Sequence, residues 1–301
     1  MTPITIIVHY SEIGLKKGNR GFFEQKLKSN IEKTLRDLSS AFQVRFDFGR
    51  FLLFVADQTH LETIIRRLKC VLGIAHFYVA YSGDPDIHVL KDQIYDHFRR
   101  KKFETFSINA RRADKSFPLN SMEINRIVGE RISTGMKKKV DLTDPDIRCH
   151  IEIFNKKIYF SFDRHDGYGG LPVGSSGKVV SLLSSGIDSP VASFRMMTRG
   201  CRVVFVHFHS FPFTEKSSYY NAIELAKELT VYQNQSRIYL VPLGDIQQAI
   251  ILNVPAKLRL ILYRRMMLRL AEKIALKEKA KALVTGESVG QVASQTLARE
   301  A

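Results

Sequence analysis

Residues 184–189 read Ser184-Ser185-Gly186-Ile187-Asp188-Ser189, directly after the apolar run 179–183 and directly before Pro190. Behind Pro190 comes a helical pattern, Val191-Ala192-Ser193-Phe194-Arg195-Met196-Met197, closed by Gly200. Strand, tight turn and helix in that order can form an anion site. The first backbone N–H groups of a helix lack intrahelical partners, and the helix dipole favours negative charge where they point. Small residues admit a pyrophosphate to the main chain, hydroxyls of Ser184, Ser185 and Ser189 add donors, and Asp188 can hold Mg²⁺ or orient the cap. Spacing alone leaves an ordinary capped turn equally open, since Ser, Asp and Pro also start helices for local reasons. Two rival glycine motifs fail. A Walker loop ending at Gly177-Lys178 would need Gly at Pro172 and Ser or Thr at Val179, and the turn carries no G-x-G-x-x-G run.

A second run with chemical content is Thr285-Gly286-Glu287-Ser288-Val289-Gly290-Gln291-Val292-Ala293-Ser294-Gln295-Thr296. Read locally, it is a glycine-punctuated loop of amides and hydroxyls. The elements that position both runs alternate: strands at 179–183, 202–208, 238–242 and 282–285, with helices at 190–199, 217–229, 245–252 and 256–277 between them. Continuous apolar strands predict a parallel sheet covered on both faces, with ligands beyond the carboxyl ends of the strands. The turn 184–189, His207-Phe208 and Thr285-Gly286-Glu287 all fall there. Metal ligation by His207 and His209 is not expected.

The first half differs. Strands at 4–10, 44–48, 51–55 and 76–81 and helices at 22–37 and 61–68 give the order β-α-β-β-α-β of a ferredoxin-like unit. After the break Gly83-Asp84-Pro85-Asp86 come a helix at 87–100, a strand at 106–111, a helix at 121–137 capped by Ser121, and strands at 147–154 and 158–163. The Gly-Pro-Ser composition of 167–177 reads as a linker. The domains expected are therefore 1–82, 83–166, a linker at 167–178, and 179–301.

A formal charge of +16 over 301 residues points to a polyanionic partner, because Lys and Arg that neutralise phosphates release condensed counterions. Lys16, Lys17 and Arg20 form one cluster, and Arg111, Arg112 and Lys115 another at a strand exit. Both are candidate phosphate contacts. A solvated polar face is the plainer alternative for either cluster. No apolar run approaches a membrane span, and the N-terminus lacks the pattern of a secretory signal, so a cytoplasmic location is expected. Cys70, Cys149 and Cys201 lie far apart with no C-x-x-C pair, which predicts reduced thiols and no zinc site.

Several of these segments carry a resemblance. Ser184 to Ser189 resembles the Ser-Gly-Gly-x-Asp-Ser pyrophosphate loop of the ATP pyrophosphatase superfamily, with Ser185 where that pattern has its first glycine. If that position needs a positive φ, a serine there costs about 1 kcal/mol. Residues 110–118, Asp141-Leu142-Thr143-Asp144-Pro145-Asp146 and the stretch 167–174 resemble the THUMP RNA-binding domain. Residues 285–296 are similar to the Thr-Gly-Glu-x-x-Gly-Gln-Val-x-Ser-Gln-Thr signature of the tRNA 4-thiouridine synthetases, the ThiI family.

That resemblance implies a ferredoxin-like α+β domain, a THUMP domain and a doubly wound parallel-sheet domain of the adenine-nucleotide hydrolase type. It implies adenylation of uridine 8 of tRNA by ATP with Mg²⁺, then replacement of the activated oxygen by persulfide sulfur from a cysteine desulfurase to give 4-thiouridine. Supply of sulfur to the thiamine thiazole is a further implied role, and a homodimer is a candidate assembly. By matching position, Leu182, Leu183, His207, Phe208, Arg264, Gly286 and Gln295 would surround the nucleotide. Ser184, Gly186, Asp188 and Ser189 would hold pyrophosphate, with Asp188 also on the metal. Family members continue beyond the signature to a cysteine used in sulfur transfer, a position none of the three cysteines here occupies. The chain is therefore expected to be C-terminally truncated. A tRNA-binding protein with an inactive or incomplete nucleotide domain is the competing expectation.

Overall fold

Near-continuous apolar runs in Ile4-Thr5-Ile6-Ile7-Val8-His9 and in Arg50-Phe51-Leu52-Leu53-Phe54-Val55 build strands whose two faces are largely covered. The computed structural model describes residues 4–213 and 217–287 and falls into two units, each with its own sheet.

The first unit comprises Met1–Gly14, Leu35–Lys69 and Ile74–Gly167. Strand β1 (Ile4–His9) is linked through helix α1 (Arg20–Thr34) to the hairpin β2 (Phe42–Asp47) and β3 (Arg50–Val55), followed by α2 (Leu61–Lys69) and β4 (His76–Gly83). Strands β2, β3, β1 and β4 lie side by side in the ferredoxin-like order, all antiparallel. The sheet does not stop at β4. After α3 (Ile87–Phe98), β5 (Thr105–Arg112), α4 (Ser121–Met136) and the short β6 (Lys139–Val140), strands β7 (Ile147–Phe154) and β8 (Lys157–Asp166) complete eight strands in the order β2-β3-β1-β4-β8-β7-β5-β6. Leu90, Ile94 and Phe98 of α3 and Ile124, Val128 and Ile132 of α4 form a core with Phe106, Ile151 and Phe160 of the sheet.

Helix α4 is capped by Asn120 and not by Ser121. The Asn120 side chain accepts from the N–H of Met122 and Glu123, and Glu123 reaches back to the Asn120 N–H. This reciprocal box satisfies one more orphan donor than Ser121 alone could.

The second unit gathers Leu15–Thr34, Cys70–Gly73 and Tyr168–Ala301. Helix α1 thus belongs to it by contact. Asn30 donates to the Val173 carbonyl at 3.1 Å, and Thr34 donates to the Asn234 side chain at 2.9 Å. The glycine-rich stretch expected as a linker is an ordered strap: Leu171 and Val173 are buried, and Leu171, Gly174 and Ser176 donate main-chain hydrogen bonds to Thr198 and Gly200.

Beyond the strap run β9 (Lys178–Leu182), α5 (Asp188–Thr198), β10 (Arg202–His209), α6 (Ser217–Thr230), β11 (Ile238–Pro242), α7 (Gly244–Asn253), α8 (Ala256–Glu278) and β12 (Leu283–Val284). The sheet is parallel with order β11-β10-β9-β12, and β9 is the strand from which the chain turns to either side. Val179, Val203 and Phe205 face α5 and α6, whereas Val180, Val204 and Val206 face α8. Burial on both faces explains why these strands read as unbroken apolar runs. Among the described residues no helix is long and apolar enough to cross a membrane, and all three cysteines are free, Cys149 and Cys201 buried.

Candidate functional site

The turn between β9 and α5 is held by a chain of serine hydroxyls. Ser181 of β9 and Ser193 of α5 share a hydrogen bond at 2.8 Å, and Ser193 donates to the Ser189 carbonyl at 2.8 Å. Ser189 in turn accepts from the Ser184 N–H at 2.8 Å and bonds the Ser184 hydroxyl at 2.9 Å. Ser181, Ser189 and Ser193 are buried, so these bonds form where water competes little. Ser189 therefore shapes the turn from within. Ser184, Ser185, Gly186, Ile187 and Asp188 are exposed, and the Gly186 N–H reaches the Ser184 hydroxyl at 3.3 Å.

No side chain caps α5: its N-cap position is Ile187, which has no side-chain hydrogen bond. The first N–H groups of the helix thus stay available to an anion. Asp188 is the first helical residue, and among the described residues its carboxylate has no hydrogen-bond or ion-pair partner. It is not the cap. Ser185 does not adopt a positive φ, nor does Gly186. The strain expected of a serine in place of glycine is absent.

A third loop closes over this turn. A Cβ placed on Gly286 would stand 2.5 Å from the Ser189 nitrogen and 2.6 Å from its Cα, so only glycine lets the segment after β12 lie on the first turn of α5. The ends of β9, β10 and β12 then surround a cavity of about 490 Å³, lined by Leu182, Leu183, Ser184, Ser185, Gly186, Asp188, Ser189, Val206, His207, Phe208, Ser218, Met267, Thr285, Gly286 and Glu287. Its position is the switch point at which doubly wound sheets bind ligands.

His207 is 4% exposed. Its Nδ1 lies 2.8 Å from the Leu183 carbonyl, which can only accept, so Nδ1 carries the proton. Burial pushes the imidazole below the usual histidine range, the neighbouring His209 adds to this, and the Leu183 bond opposes it. The ring is neutral near pH 7 and its Nε2 is a bare acceptor, buried without a partner.

Leu182, Leu183, Ser184, Gly186, Asp188, Ser189, His207, Phe208 and Gly286 thus meet at one cavity, as anticipated. Arg264 stands apart: it pairs with Glu287 and lines a neighbouring cavity beside α8. Gln295 lies outside the described residues. Thr285 and Glu287 also line the first cavity, at the strand ends where the sequence places them, whereas Val206, Ser218 and Met267 were not anticipated as lining residues, and neither was the supporting pair Ser181 and Ser193. A polar residue inside an apolar strand, as at Ser181, is the signal that could have found that pair.

The basic candidates divide as well. Arg112 is not free for a phosphate, because its guanidinium donates to the carbonyls of Phe117 at 2.6 Å and Leu119 at 2.9 Å and so closes the loop after β5. Arg20 pairs with Glu24 at 2.6 Å, and the Lys16 ammonium lies 5.2 Å from the Phe23 ring centroid. Arg111 and Lys115 are exposed.

Fold and site together define an α/β protein of two units, the second with a cavity at the uncapped turn between β9 and α5. Its chain matches the ferredoxin-like domain of ThiI over residues 5–78, the THUMP domain over 85–163 and the thiamine biosynthesis protein (ThiI) over 174–299. It is 40% identical over 298 residues to a probable tRNA sulfurtransferase of Brevibacillus brevis, covering 97% of this chain and 73% of that protein. It is also 39% identical to one of Thermus thermophilus, covering 99% and 73%. The chain belongs to the ThiI family. A 4-thiouridine synthetase crystallised with RNA and bound ATP superposes with a TM-score of 0.84 at 36% identity, over 99% of this chain and 76% of that one. A Pyrococcus horikoshii protein shares the fold at 24% identity, with a TM-score of 0.70 over 96% of this chain and 88% of that one.

Proposed function

We propose that this chain acts as a tRNA sulfurtransferase, using ATP to adenylate the O4 of uridine 8 and exchanging the activated oxygen for persulfide sulfur, with 4-thiouridine as product. The sulfur would come from a cysteine desulfurase. A role in thiamine thiazole synthesis belongs to the same reading, as does a partition into a ferredoxin-like domain, a THUMP domain and a nucleotide domain.

One observation carries the reading: Gly286 closes onto the uncapped first turn of α5 beside an unpartnered Asp188, so amide donors and a carboxylate face one cavity. Pyrophosphate would lie along Ser184, Gly186 and the first N–H groups of α5, held by a turn that the Ser181–Ser193–Ser189 bonds keep rigid. A Mg²⁺ ion fits there, because such ions take one or two protein carboxylates and otherwise phosphate and water, and Asp188 supplies one. When bound it would neutralise charge on the departing pyrophosphate.

Adenylation turns a poor oxygen leaving group into AMP, and the chain's part is to align the reactants and stabilise charge. Leu182, Phe208 and Met267 would shield the adenosine from water. Arg111 and Lys115 would contact the tRNA backbone, together with Lys16, Lys17 and Arg20.

The test is Asp188→Ala. We expect tRNA binding to persist in a filter or gel-shift assay while tRNA-dependent pyrophosphate release falls at least a hundred-fold, about what loss of one charge-stabilising group costs. Release at the wild-type rate would overturn the assignment.

A further inference from the structure

The amino ends of β9, β10 and β11 hold a group of cations remote from the cavity at the turn. Lys178 opens β9, Arg202 opens β10 in register beside it, and Arg237 stands one residue before β11. Val180 and Val204 face α8, so strand alternation puts Lys178 and Arg202, two residues earlier on each strand, on that same face. Arg237 joins them there, because its guanidinium and the Lys178 ammonium both bond Glu278, the last residue of α8.

That carboxylate is spent on the two outer strands. Lys178 donates to Oε2 at 2.7 Å, whereas Arg237 and Tyr239 share Oε1. Arg202 lies on the strand between them, and among the described residues its guanidinium has no hydrogen-bond or ion-pair partner. Neighbouring strands run about 4.8 Å apart, so the three cations crowd around a single carboxylate. Lys277 adds further positive charge, its ammonium 5.6 Å from the Tyr239 ring centroid. Like charges side by side on a sheet repel, and one carboxylate does not balance them.

Lys178, Arg202, Arg237 and Glu278 line a cavity of about 140 Å³. That is below the range of about 300–1,000 Å³ in which small-molecule pockets fall. It suits one tetrahedral ion, and a guanidinium fork matches two of that ion's oxygens.

We propose that Lys178, Arg202 and Arg237 form a second oxyanion site, at the opposite end of the sheet from residues 184–189, which takes one phosphate group, free or carried on a small molecule. Arg202 donates to it, while Lys178 and Arg237 add charge without leaving Glu278. The bound ion links three adjacent strands at the end that Glu278 already ties, so it stabilises the unit by mass action. The site stands whether or not the cavity at the turn binds ATP.

Inorganic phosphate is titrated into the wild-type chain at an ionic strength held constant with chloride, and the Nε–H signals of Arg202 and Arg237 are followed by nitrogen NMR. These local signals separate the site from any phosphate held at residues 184–189. We expect the Arg202 signal to move and saturate, with half of the effect at about 1 mM phosphate. Arg202→Ala removes a half-buried side chain, and in it the Arg237 signal should need about ten-fold more phosphate, the effect of one charge-assisted pair. AMP in the same titration tells a free ion from a phosphate on a nucleotide, the source being whichever saturates the signal at the lower concentration.

An Arg202 signal that ignores both phosphate and AMP, or that moves equally with chloride, would overturn the site. So would an Arg237 signal that titrates unchanged in Arg202→Ala. A response to tRNA without one to phosphate would make the cluster part of an RNA surface and overturn the small-ion site as well.

Discussion

A serine at position 185 stands where the loop pattern that residues 184–189 resemble has glycine, and its meaning depends on one dihedral. Ser185 has no positive φ, so glycine there would relieve no strain. Glycine would instead enlarge the conformational freedom that folding removes. Ser185→Gly should therefore destabilise the second unit by about 0.5 kcal/mol, read as a lowered urea midpoint. A rise in the midpoint would show that the serine is strained after all. The neighbouring hydroxyls have unequal duties for a similar geometric reason. Ser184 is exposed at the turn, whereas the buried Ser189 hydroxyl is bonded to the Ser184 backbone and side chain, so its duty is to fix the main chain.

Elements of the nucleotide unit are tied at the opposite end of the sheet by Glu278, the last residue of α8. Its carboxylate accepts from Lys178 of β9 at 2.7 Å, from Tyr239 of β11 at 2.7 Å and from Arg237. One side chain thus links a helix to two strands that are not neighbours in the sheet. Hydrogen bonds from Lys178, Tyr239 and Arg237, in that order, draw the Glu278 pKa down to about 2 from an ordinary 4.5. A folded-state pKa below the unfolded value means the contribution is complete above pH 4.5 and is lost as the pH falls from there toward 2. Thermal melts of the wild type should decline over that window more steeply than melts of Glu278→Gln, which should already be less stable at pH 7. Parallel acid limbs would remove Glu278 as the cause.

Much of this element level was legible beforehand because period and burial agree: strands covered on both faces read as apolar runs, and α3 and α4 show their buried stripes. The end of β12 and the turn before α5 could be placed at one cavity from strand order alone. What escaped reading depends on partners distant in sequence. Asn30 meets Val173 across 143 positions and draws α1 into the second unit, and Glu278 meets Lys178 across 100. The Ser181–Ser193 bond hides a polar pair inside what looks like core, and Arg112 looks like its neighbour Arg111 until the carbonyls of Phe117 and Leu119 claim it.

For the whole molecule, a charge of +16 sets how it meets a polyanion, and the two adjacent arginines show which part of that charge is available. Arg111 is exposed, and among the described residues its guanidinium has no hydrogen-bond or ion-pair partner. Arg112 points its donors into the loop it closes. Binding that neutralises phosphates weakens linearly in the logarithm of salt concentration, with a slope that counts the contacts. If tRNA is held through the exposed cations, Arg111→Ala should lower affinity similarly for every tRNA and reduce that slope by about one. Arg112→Ala should leave the slope as it is and instead cost about 1–2 kcal/mol of stability, because two loop carbonyls lose their donor. Gel-shift titrations between 50 and 300 mM salt, a range of about six-fold chosen to span the expected fall, measure the slopes, and urea unfolding measures the stability. A reduced slope in Arg112→Ala with unchanged stability would mean that the guanidinium leaves its carbonyls to take a phosphate. The loop after β5 would then be remodelled by RNA instead of being preformed for it.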